Sequence, residues 1–129
     1  MFVSKNDEIF INEIAPRPHN SGHYSIEGCS ISQFEQHIRA ILNFPLAKPE
    51  LLRPTVMKNI IGPPHFSGNY RIKGLSNLLS IPSTKIHIYG KQISSPGSKL
   101  GHITCTGPSL DVVMKRCSDA KNSIEIIVD

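Results

Sequence analysis

Between Glu13 and His23, in the run "NEIAPRPHNSGH", stand a carboxylate, an arginine, two histidines and an Asn-Ser-Gly turn. Asn12 and Glu13 close a predicted strand, and their amide oxygen and carboxylate suit a hard cation such as magnesium, whose shell phosphates usually complete. Arg17 lies between Pro16 and Pro18. A guanidinium on so braced a turn loses little freedom when it grips a phosphate or carboxylate with two hydrogen bonds. His19 and His23 can donate to an anion or move a proton near neutral pH, and Asn20 adds an amide beside them. Solvated edge residues and an ordinary surface turn are the plain alternatives. Their density in one loop favours a site, since loops carry chemistry when a scaffold fixes them.

A second candidate is "SSPGSKLGH", residues 94–102, where Gly97 and Gly101 bracket Lys99. Glycines let backbone amides approach an anion and Lys99 adds a point charge. The spacing is not that of a Walker A loop, and a plain hairpin turn is the alternative. His37 falls near the apolar face of a helix and reads as packed, while His65 and His87 have no partner at metal-ligand spacing.

The elements that must position these residues can be read from periodicity. Val3, a "KND" turn and Ile9–Ile11 predict a hairpin with its second strand over 8–14, ended by the prolines. Residues 15–29 form a loop. Ile31, Phe34, Ile38, Ile41 and Leu42 predict a helix over 30–43, with Ser32 and Glu35 as capping box and Pro45 as stop. Beyond "PLAKPELLRP", strands are predicted at 55–61, 84–90 and 101–106, with a short helix within 71–80. A helix over 109–120 would have Ser109 as N-cap and Leu110, Val113, Met114 and Cys117 inward, and "SIEIIVD" makes a last strand. The expected fold is therefore α+β in two parts, a strand-loop-helix unit over 1–50 and a small β-rich, barrel-like module over 51–129. The first part presents more apolar face than it can cover.

Composition bounds the rest. The chain has 129 residues, 39% of them hydrophobic and 19% charged, which fits one soluble domain without a second lobe. No apolar run is long enough to span a membrane, and the N-terminus lacks a signal-peptide pattern, so a cytoplasmic address is expected. Fourteen Lys and Arg against ten Asp and Glu, with no basic run, do not point to nucleic acid. Cys29, Cys105 and Cys117 have no CxxC spacing and read as reduced structural thiols.

Residues 11–46, "INEIAPRPHNSGHYSIEGCSISQFEQHIRAILNFPL", strongly resemble the C-terminal part of the 5-(carboxyamino)imidazole ribonucleotide synthetases, an ATP-grasp family of purine biosynthesis. The likeness continues through "PTVMKNIIG" and "KLGHITCTG". A sister family, the formate-dependent glycinamide ribonucleotide transformylases, has a similar proline-arginine turn but typically Asp-Thr where Asn20 and Ser21 stand. The resemblance implies the end of an ATP-grasp fold followed by its C-terminal module. It implies an ATP-dependent carbon-nitrogen ligase that makes carboxyphosphate from bicarbonate and carboxylates aminoimidazole ribonucleotide. By it, Glu13 binds magnesium, Asn12 sits at the ATP phosphates, and Arg17, His19 and Asn20 are catalytic. Arg17 and His19 also contact bicarbonate and the ribonucleotide, and Lys99 reaches the substrate phosphate. Ser95 and Ser98 depart from the family, which usually has arginines there. The family protein is longer, so an N-terminal ATP-binding lobe is an expected partner, the isolated chain is expected to be inactive, and a homodimer is possible. A stand-alone assembly module with the same fold is the alternative.

Overall fold

The computed structural model describes residues 1–128. β1 (Phe2–Val3) and β2 (Ile9–Phe10) form an antiparallel hairpin with Phe2 opposite Phe10. The strand expected over 8–14 thus stops at Phe10. No described strand lies beside residues 11–14, so their backbone has no ladder to join, and Ile11 and Ile14 are exposed. A single 3-10 turn, Asn20–Gly22, and the one-turn helix α1 (Ser25–Gly28) follow within the predicted loop.

α2 spans Gln33–Ile41. The Ser32 hydroxyl accepts from the Glu35 amide at 3.1 Å, as a cap should. The reciprocal half of the box is missing, because the Glu35 carboxylate instead pairs with Arg39 one turn on, at 2.7 Å. Asn43 adopts a left-handed conformation (φ 55°) and ends the helix two residues before Pro45. Of the predicted apolar stripe, Ile31 is buried, whereas Phe34, Ile38, Ile41 and Leu42 lie exposed to solvent.

The remaining chain runs β3 (Thr55–Ile61), β4 (Gly68–Lys73), α3 (Leu75–Leu79), β5 (Thr84–Ile88), β6 (Ile93–Ser94), β7 (Lys99–Thr106), α4 (Leu110–Asn122) and β8 (Glu125–Val128). These strands make two antiparallel three-stranded sheets, β3-β7-β5 and β6-β4-β8. The barrel-like expectation is corrected accordingly: each sheet keeps two free edges and no closed barrel forms among the described residues. The short helix expected over 71–80 is present as α3 but starts later than expected. Arg71, Ile72 and Lys73 pair with β8, a partner some fifty residues away along the chain, and helix starts only after Gly74 at φ 87°.

The core lies between β7, β3 and α4. Ile60, Leu78, Leu100, Ile103, Cys105, Val113, Cys117, Ala120 and Ile124 form it. On α4 the buried stripe is Val113, Cys117 and Ala120, whereas Leu110 and Met114, expected inward, flank it and are exposed. Ser109 caps α4 by accepting from the Val112 amide. All three cysteines are free. Residues 28–30 are tied to 50–52 by Ser30 N to Glu50 O and Leu52 N to Gly28 O, both 2.8 Å, so the end of α1 is fastened to the connector that leads into β3. No helix among the described residues is long and apolar enough to cross a membrane.

Candidate active site

A cleft of about 440 Å³ opens beside the 3-10 turn, and its wall includes Asn12, Glu13, Arg17, His19, Ser21 and Gln33. Four of the residues singled out from the sequence therefore meet in one place. The backbone bends at Pro16 and Arg17, and Arg17 Nη1 donates to the Pro18 carbonyl at 3.2 Å, curling the side chain over its own bend. His19 caps the 3-10 turn. Its Nδ1 accepts the Ser21 amide at 3.3 Å and lies 2.8 Å from the Ser21 hydroxyl. An amide can only donate, so neutral His19 carries its proton on Nε2.

Asn20 points elsewhere. Its amide forms a reciprocal pair with Asn59 on β3, Nδ2 to Oδ1 at 2.7 Å and the return bond at 3.0 Å. Lys99 is not part of the cleft wall either. It begins β7, exposed, opposite Ile61. The loop before it is a tight turn with Pro96 and Gly97 at its centre, Gly97 at φ 71°, closed by Ser98 N to Ser95 O at 2.9 Å.

Behind the cleft lies a cluster of imidazoles that the sequence reading did not assemble. His87 and His102 are register partners on β5 and β7 and stack at 4.4 Å, 11° from parallel. His23 lies 5.1 Å from His102 and 5.2 Å from Phe34 between ring centres. His87 Nε2 meets Glu27 Oε1 at 2.7 Å, and Tyr89 OH meets His102 Nδ1 at 2.8 Å. Burial first, then the charges of His87 and His23, push His102 down to about 4. Burial likewise lowers His23, followed by the positive charges of Lys99, His19 and His87, and burial raises Tyr89. His102 Nε2 and Glu27 Oε2 are buried without a hydrogen-bond partner. The alternation of His87 and Tyr89 marked a shared strand face. Their meeting with His102 needed the register, which sequence does not supply.

Glu13 and Asn12 offer oxygen donors of the kind magnesium takes, but only part of a shell. Among the described residues no three His, Cys, Asp or Glu side chains gather as a metal site. The fit is thus to an ion held mainly by a bound polyphosphate.

The phosphoribosylaminoimidazole carboxylase C-terminal domain family matches residues 55–116, and the ATP-grasp domain family matches residues 1–34. The chain is 45% identical over 104 residues to N5-carboxyaminoimidazole ribonucleotide synthase of Bacillus subtilis, covering 81% of this chain and 26% of that protein. It therefore spans about a quarter of the length of such relatives. A crystal structure of N5-carboxyaminoimidazole ribonucleotide synthetase from Thermotoga maritima superposes with a TM-score of 0.91 at 45% identity, over 100% of this chain and 36% of that one. The Aspergillus clavatus enzyme, in complex with ADP and 5-aminoimidazole ribonucleotide, gives 0.81 at 40% identity, over 95% of this chain and 33% of its own.

Proposed function

The chain belongs to the phosphoribosylaminoimidazole carboxylase family, joining the end of an ATP-grasp domain to that family's C-terminal domain, and from this premise we propose that it forms one wall of an ATP-dependent ligase site. The reaction is carboxylation of aminoimidazole ribonucleotide by bicarbonate through carboxyphosphate. The observation that carries this reading is the cleft that unites Asn12, Glu13, Arg17 and His19. Residues 1–50 act as the last segment of the ATP-grasp domain and residues 51–129 as the C-terminal domain.

In this reading Glu13, with Asn12 beside it, holds magnesium against the ATP phosphates, where the ion would neutralise charge on the transferring phosphoryl group. Arg17 grips the bicarbonate or carboxyphosphate oxygens with its planar fork. His19 offers its Nε2–H to the same anion, fixed in that tautomer by the Ser21 amide. Asn20 contributes through the Asn59 pair, which fixes the turn carrying His19. Lys99 attracts the ribonucleotide phosphate from the start of β7. Ser95 and Ser98, committed to closing their turn, add no charge there. The ATP-binding lobe of the longer protein supplies the opposite wall and excludes water during carboxyphosphate formation.

The test is kinetic, with this segment replacing the matching part of the Bacillus subtilis relative. Glu13→Gln should mainly lower kcat, and Lys99→Ala should mainly raise KM for the ribonucleotide, about tenfold. Unchanged kinetics in both variants would remove the site assignment.

A further inference from the structure

We propose that Gln33 is the positioning residue of this site, a clamp that fixes the backbone of His19 and the tautomer of His23 together. The proposal rests on the reading of His19 as an anion-contacting residue. Gln33 Oε1 accepts the His19 amide at 2.9 Å while Nε2 donates to the His19 carbonyl at 2.8 Å. A side-chain amide paired with both polar groups of one residue has a forced orientation, because the opposite flip would set donor on donor and acceptor on acceptor. One Nε2 hydrogen remains, and His23 Nδ1 lies 2.6 Å away. His23 Nδ1 must therefore accept, which leaves its proton on Nε2.

The surroundings are built to this end. Gln33 is the first residue of α2, and its own amide donates to Ser25 Oγ at 2.9 Å, which in turn donates to the Gly22 carbonyl at 2.5 Å. A Cβ at Gly22 would stand 2.5 Å from Gln33 Oε1, so only glycine leaves the amide its place. The groups facing His23 are His102, Tyr89, Phe34 and, by their charge, Lys99, His19 and His87. None is an anion that would draw a second proton onto the ring. The start of α2, the 3-10 turn and two imidazoles thus converge on one amide. Displacing a reactant-holding group by about 1 Å can cost on the order of a hundredfold in rate.

Two measurements test this. In the ¹⁵N-labelled chain at pH 7.5, imidazole spectra should show His23 with bare Nδ1 and protonated Nε2, and the His19 amide should exchange slowly. Gln33→Met, similar in length but without the amide, should speed that exchange at least about tenfold and release the tautomer. Gly22→Ala should do the same without altering Gln33, and Gln33→Glu should let His23 titrate at higher pH than the parent. A His23 protonated on Nδ1 in the parent, or a His19 amide unaffected by Gln33→Met, overturns the proposal. In the chimera with the Bacillus subtilis relative, Gln33→Met should lower kcat at least about tenfold while KM for ATP stays within about twofold. If His19→Ala abolishes turnover and Gln33→Met does not lower it, the clamp falls and the site reading stands. If neither matters, the site reading falls and takes the clamp with it. If the chimera does not fold, the spectra decide alone.

Discussion

His102 is 2% exposed and neutral well below the usual histidine range. Its folded pKa, about 4, lies below the value near 6.5 expected in an unfolded chain. The stabilisation it brings is therefore whole above pH 6.5 and drains away as the pH falls toward 4, because only the unfolded chain takes up the proton across that window. The difference amounts to about 3 kcal/mol. Urea unfolding of the parent should lose that much between pH 7 and 4, and His102→Gln should flatten the profile. A parent whose stability is level across the window would contradict the cluster as drawn. The Asn20–Asn59 pair is a second residue-scale test. Either alanine substitution strands the other amide in a half-buried site and should cost about 1–3 kcal/mol. The double mutant should cost clearly less than the sum, since both changes remove one interaction.

Two glycines separate conformational strain from steric contact at the scale of elements. Gly97 and Gly74 both have positive φ, but a Cβ at Gly97 meets nothing within 4 Å, whereas one at Gly74 would lie 2.0 Å from the Ser123 carbonyl. Gly97→Ala should cost about 1 kcal/mol, the price of its left-handed turn. Gly74→Ala should cost several times more, because β4, α3 and the end of α4 would have to part; equal losses in thermal unfolding would refute the contact. The elements most legible in the sequence were those with local signals. Ser32 and Ser109 announced the helix starts, and the apolar run of residues 55–61 matched β3 end to end. β4 was misread because its partner β8 is remote, and a segment's neighbours decide whether it stays extended. Of the cleft's lining, Glu13, Arg17 and His19 stood out by residue type. Gln33 was not, since its role depends on a side chain folding back fourteen residues along the chain to a backbone amide.

The core is confined to the elements from β3 onward together with α4, while the N-terminal hairpin, the segment after it and α2 bury almost none of their large apolar side chains. Phe10, Ile11, Ile14, Ile38 and Ile41 are each more than half exposed, far beyond the scattered hydrophobics that need no explanation. The isolated chain should therefore self-associate at tens of micromolar in sedimentation velocity, and Ile38→Lys should reduce it; a strict monomer at every concentration would speak against an unpartnered face. The same chain should neither bind ATP tightly nor cleave it, since one polar wall cannot hold a nucleotide and exclude water. The place of β7 at the centre of its sheet also governs how the protein is made. Among the described residues β3 pairs only with β7, Thr55 with Thr106 and Ile60 with Gly101, so β3 leaves the ribosome more than forty residues ahead of its partner. At roughly 5–20 residues per second that is a wait of about 2–9 s with both ladder edges bare. Lys58 and Asn59, in the middle of β3, break its apolar run, and polar interruptions of that kind disfavour mispairing while a strand waits for its partner.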